Sequence, residues 1–107
     1  SIPRQFGEAH VNRLNLMAMA YNFLGNPDSA FTKINQAIAL APTMGHPYTT
    51  KAEIYAMQGK EVLFFAYLDS AFQRGFAVHS LNWEEMPYSK YKEHPQARAL
   101  LSAKRID

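Results

Sequence analysis

The chain contains no cysteine. Disulfides and cysteine-based zinc or redox sites are therefore excluded. It has no apolar run approaching the roughly 18 residues that a membrane-spanning helix needs. It has little net charge: +2 over 107 residues, so the computed pI of about 9.0 overstates the basicity of a nearly balanced chain. Its five glycines all stand singly, which leaves no glycine-rich loop to cradle a phosphate. Missing cysteine does not choose a compartment, because a helical chain needs no staple in either. No secretory signal opens the sequence, and the cytoplasm is the simpler expectation. The chain begins with Ser1 rather than methionine, so a trimmed leader or an upstream domain stays open.

What is present is enough for a packed core. Apolar residues make up 48% and charged residues 19%, which argues against disorder. The length suits one domain or a piece of a larger protein. The dominant pattern is a 34-residue echo: Ala18 recurs as Ala52, Tyr21 as Tyr55, Gly25 as Gly59, Phe31 as Phe65 and Ala37 as Ala71. Ile34 is answered by Leu68 and Ile38 by Phe72 at the same offset. A fixed period of this length marks stacked repeats rather than one compact core.

The periodicity predicts a first helix over Glu8–Leu24, with an apolar stripe of Leu14, Met17, Ala18, Tyr21 and Leu24, closed by Gly25. Asn26-Pro27 opens a second helix that carries Ala30, Ile34, Ala37 and Ile38 inward and stops before Pro42. After a turn at Thr43–His46 the pattern restarts. A third helix runs from Pro47 to Met57 and ends at Gly59. A fourth covers about Lys60–Arg74 and ends at Gly75. Such short glycine turns join antiparallel neighbours. The last third is less regular. A short helix near Ser80–Met86, a turn at Tyr88–Tyr91 and a final helix from Gln96 to about Lys104 are expected, with Ala99 and Leu100 inward.

These residues resemble the tetratricopeptide repeat, whose pattern is Ala-x2-Tyr-x3-Gly-x4-Ala-x6-Ala-x4-Pro. The first repeat matches at Ala18, Tyr21, Gly25, Ala30, Ala37 and Pro42, and the second at Ala52, Tyr55, Gly59 and Ala71. The second departs at Phe64, where a small residue is expected, and at Phe76, where proline is expected. The end of the chain is similar to an end-of-array segment of bacterial tetratricopeptide proteins, through Ala71-Phe72, Gly75-Phe76, His94-Pro95 and Arg98-Ala99-Leu100-Leu101. The resemblance implies an all-α fold: repeat 1 over 11–44, repeat 2 over 45–78 and a cap over 79–107, forming a short right-handed superhelix.

It also implies protein–protein recognition through a concave face built from the first helix of each hairpin. On that face stand Asn12, Asn15, Met19 and Asn22, answered at the repeat offset by His46, Thr49, Glu53 and Ala56. Amides suit the backbone of an extended peptide, and a thioether adapts to its side chains. Met57 is a further candidate for a binding surface. Relatives that grip the acidic tails of heat-shock chaperones use Lys and Asn where this chain has Asn15, Met19 and Thr50, so that carboxylate clamp is absent. An alternative is a regulatory or self-association module of a larger bacterial signalling protein or transcription regulator, possible as a homo-oligomer.

Catalysis finds little footing, and the chain is read as non-enzymatic, without cofactor or metal. His10, His46, His79 and His94 lack helical i, i+4 pairing, and His46 and His94 each precede a proline at a helix start, which suits turns or caps. Glu84 and Glu85 are sequence neighbours and do not share a helix face. Lys90, Lys92, Arg98, Lys104 and Arg105 make the C-terminal segment basic, with Tyr88 and Tyr91 nearby. A solvated helix end accounts for this better than a nucleic-acid patch does.

Overall fold

Gly25, Gly59 and Gly75 have φ of +76°, +72° and +87°. At each, the chain makes the left-handed turn that ends a helix and that a Cβ would strain. These turns divide an all-helical chain. The computed structural model describes residues 4–102, and the side chains from residue 7 onward except that of Val78. In order come α1 (Arg4–Phe23), α2 (Pro27–Leu40), α3 (His46–Met57) and α4 (Glu61–Gln73). Two 3-10 turns follow, at Val78–Ser80 and Tyr88–Tyr91, and then α5 (Pro95–Ser102). The described residues contain no strand.

α1 pairs with α2 and α3 with α4 as hairpins, and α3 packs against both helices of the first hairpin. Local chemistry sets the ends. The Asn26 side chain accepts a hydrogen bond from the Ser29 N–H at 3.3 Å, and Pro27 opens α2 where no N–H is needed. Ala18, Ala30 and Ala37 are fully buried between α1 and α2, where small side chains allow close approach. Ile54 of α3 is buried in the same cluster and joins the hairpins through the core.

The inter-hairpin groove is filled by rings. Phe31 lies 4.9 Å from Tyr55, and Tyr55 lies 5.4 Å from Tyr67. Lys51 sits over Tyr67 and donates to the Asn35 side chain at 2.7 Å, bridging α2, α3 and α4. The connection between α2 and α3 is held by one carbonyl. The Pro42 oxygen accepts from Arg74 Nε at 2.7 Å and from the Tyr48 hydroxyl at 2.8 Å. Arg74 also donates to Ser70 O at 2.9 Å and lies over the Tyr48 ring, so its cation sits at the negative end of α4.

The second hairpin has its own core, shared with the C-terminal segment: Ala52, Ala56, Phe64, Phe65, Leu68, Trp83, Tyr88, Tyr91 and Ala97. Phe64, which replaces the small residue of the first repeat, is fully buried and stacks on Tyr91 with centroids 4.7 Å apart. Burying a ring of this size contributes about 1.5–3 kcal/mol. The larger residue thus reaches beyond its own hairpin to the segment that covers it.

Several expectations need correction. α1 begins at Arg4, ahead of Glu8. Leu24 does not join the core stripe; it lies past the end of α1 and is 74% exposed. No helix forms over Ser80–Met86. Trp83, Tyr88 and Tyr91 are all buried, and that spacing does not fall on one helical face. The Asn82 side chain also accepts from the Glu84 N–H at 3.0 Å, a local bond that competes with helix. In α5 the buried residue is Ala97, with Leu100 and Leu101 partly buried, while Ala99 is exposed. Lys104 and Arg105 lie outside the described residues.

Candidate functional site

The α1 row runs along the helix at three- and four-residue spacing, beside the buried stripe and not within it. Asn12 is exposed, Asn15 half-buried, Met19 43% exposed and Asn22 half-buried. Among the described residues the Asn12 and Asn22 side chains make no hydrogen bond within the protein. Asn15 donates to the Met19 sulfur at 3.7 Å, and its own carbonyl oxygen is buried without a partner.

The matching α3 row differs. His46 is half-buried, and burial lowers its pKa, which favours the neutral ring. Thr49 is buried and donates its hydroxyl to His46 O at 2.7 Å. Ala56 is buried in the cluster with Trp83 and Tyr88. Glu53 accepts a hydrogen bond from the Tyr88 hydroxyl. Burial raises the Glu53 pKa, and the Tyr88 hydrogen bond opposes that rise. The Tyr88 hydroxyl is itself pushed upward by burial and by the neighbouring Glu53 charge. The C-terminal segment therefore lies against Glu53 and Ala56 of the α3 row, while the α1 row has no such neighbour.

Phe23 and Met57 escaped the eight-residue row. They stand at the same place in α1 and α3, one repeat apart, and are 88% and 60% exposed. The repeat offset carries this signal: the position that makes Met57 a surface candidate also selects Phe23. Its apolar character suggests core on composition alone.

Among the described residues, two cations of the basic C-terminal segment are paired with its own acids. Lys92 pairs with Glu84 and Arg98 with Glu93, and Lys90 lies over the Tyr91 ring. The Lys92 pKa is raised by Glu84, and the Glu93 pKa is lowered by Arg98. His94 accepts from the Gln96 N–H at 3.1 Å at the start of α5, the capping geometry its position before Pro95 suggests. His79 is tied to Leu101 O at 2.6 Å. Among the described residues no three His, Asp or Glu side chains converge as metal ligands. No helix there is long and apolar enough to cross a membrane.

Two hollows accompany the row. One of about 520 Å³ lies between α4 and α5, lined by Val62, Phe65, Phe72 and Leu100 among others. A wider one of about 740 Å³ lies where the start of α1 meets the end of α2, beside His10, Arg13 and Met44. In comparisons with known proteins, the chain matches no family model, no curated protein and no solved structure.

Proposed function

We propose that this chain is a tetratricopeptide-like pair of hairpins that holds an extended segment of a partner protein against its first-helix row. One observation carries the reading. The α1 row presents the Asn12 and Asn22 amides and the Asn15 carbonyl oxygen without internal partners, beside Met19 and Phe23, which are exposed. Unpaired amides can bond the backbone of an extended peptide, and the thioether and ring can take its apolar side chains. A row with a purely structural role would instead resemble α3, where Thr49 and Glu53 are already bonded internally.

The open half lies on α1, so the peptide would engage Asn12, Asn15, Met19 and Asn22 chiefly, with Phe23 at the edge. His46, Thr49, Glu53 and Ala56 would contribute less: the C-terminal segment lies against Glu53 and Ala56, and the Thr49 hydroxyl is already bonded to His46 O. No catalytic step belongs to this reading.

The test is selection from a displayed library of random peptides, followed by affinity measurement by fluorescence anisotropy. The Asn15→Ala/Asn22→Ala variant should keep its fold, since surface changes typically move stability by less than about 0.5 kcal/mol. It should bind selected peptides more weakly by about 0.5–1.5 kcal/mol for each lost hydrogen bond. Unchanged affinity in the folded double variant would remove this row from the site.

A further inference from the structure

The repeat offset exposes a second surface on α1. In α3, Thr50 is 3% exposed and Ile54 fully buried, because that side of the helix packs on the first hairpin. Their counterparts one repeat earlier are Leu16 and Ala20. Leu16 is 64% exposed, and Ala20 is exposed too. Leu24, 74% exposed, lies one residue past α1 but continues its register, its N–H donating to Ala20 O at 3.0 Å, so the three form a stripe on the side turned away from the core. The counterpart of Leu24 is the exposed Gln58, so two of the three twin positions are buried; a helix face that is more apolar than such a twin has the chemistry of an interface.

We propose that this stripe is the contact of a symmetric homodimer, with α1 of one copy packed antiparallel on α1 of the other. The stripe reads large, small, large: Leu16 one turn before Ala20, and Leu24 one turn after. A two-fold axis at Ala20 brings the two helices close where the side chains are small. It sets Leu16 of each copy against Leu24 of the other, the self-complementarity an isologous contact requires. The charges at the ends agree. Exposed Arg13 flanks the start of the stripe and exposed Asp28 lies beyond its end. Antiparallel pairing brings unlike charges together, whereas parallel pairing would bring like to like.

A head-to-tail arrangement, in which one copy continues the stack of another, is closed off. The outer side of the second hairpin is occupied by Tyr88 and Tyr91, packed on Phe64. The contact is small. A few side chains fall short of the roughly 800 Å² per partner of a standard interface, so the dimer should be weak, in the range of about 1 μM to about 1 mM.

Sedimentation equilibrium over protein concentrations spanning that range tests the proposal. The expected result is a mass rising from monomer to dimer with concentration. Leu16→Glu sets a carboxylate against leucine in the contact and should raise the dissociation constant by more than about tenfold. Adding Leu24→Lys to Leu16→Glu should restore association, because the two-fold pairing sets each new acid against a new base. Circular dichroism checks that the variants fold, and both sites are exposed enough to tolerate the changes. A chain that stays monomeric throughout overturns the proposal and leaves the stripe to a foreign helix. A dimer indifferent to Leu16→Glu places the contact elsewhere. A dimer lost with Leu16→Glu and not recovered in the double variant refutes the antiparallel register.

Discussion

Removing the Tyr88 hydroxyl should unlatch the C-terminal segment from α3. Tyr88 is 6% exposed and gives its hydroxyl to a carboxylate that burial already disfavours. In Tyr88→Phe the ring stays and the bond is lost. Hydrogen bonds to charged groups contribute about 1.5–3 kcal/mol, so a loss of about 2 kcal/mol is expected at pH 7. For a domain of this size that lowers the melting temperature by on the order of 10 °C. The dependence on pH gives a sharper check. The folded-state pKa of Glu53 is raised above its ordinary value of 4.5. The folded chain therefore binds this proton more tightly than the unfolded chain does. Its contribution to stability is fully present below pH 4.5 and is lost as pH rises through the folded value. Glu53→Gln keeps an oxygen for the Tyr88 hydroxyl and removes the charge. Its stability should match or exceed that of the wild type at pH 7, and the difference between the two should shrink toward pH 4. Tyr88→Phe removes the hydrogen bond that holds the pKa down, so its stability should fall more steeply with rising pH. Thermal melts followed at 222 nm between about pH 4 and pH 8 measure all three chains. The reasoning fails if Tyr88→Phe melts with the wild type at pH 7, or if Glu53→Gln and the wild type show the same pH slope.

Two further substitutions probe the packing. Ala37→Leu forces a larger side chain into a fully buried contact between α1 and α2 and should cost about 1–3 kcal/mol by chemical denaturation. An unchanged midpoint would disprove that contact. Gly45→Ala tests a different constraint, since Gly45 has an ordinary φ of −73°. An added Cβ would lie 2.9 Å from the Phe76 Cβ and 3.1 Å from Ala71 O, so a comparable loss is expected from crowding alone. Full stability in that variant would mean that the loop before α3 yields freely.

The first four helices were legible because each was signalled more than once. The 34-residue echo, the single glycines and the prolines at helix starts agree with one another, and the structure puts turns at Gly25, Gly59 and Gly75. The C-terminal segment was harder to read. Its order comes from Trp83, Tyr88 and Tyr91 packing on Phe64 and its neighbours, contacts distant in sequence and without helical period. Such packing overrides local propensity, and it explains both the missing helix at Ser80–Met86 and the burial of Ala97 in place of Ala99. For the candidate row, the sequence supplied the register but not the cover. Nothing local to Glu53 or Ala56 announces that Tyr88, far along the chain, will lie against them.

That cover follows from one change between the repeats. Where repeat 1 has Ala30, buried between its own helices, repeat 2 has Phe64. An alanine there leaves the outer groove shallow enough for another helix, and α3 fills it on the first hairpin. Phenylalanine instead projects a ring that needs aromatic partners, and Tyr88 and Tyr91 supply them at 5.9 and 4.7 Å. Once those rings are seated, the Tyr88 hydroxyl falls within reach of Glu53, and Glu53 and Ala56 of the α3 row are committed to the fold. The α1 half has no such neighbour. The substitution that seats the C-terminal segment on the second hairpin therefore also decides which part of the first-helix row stays uncovered.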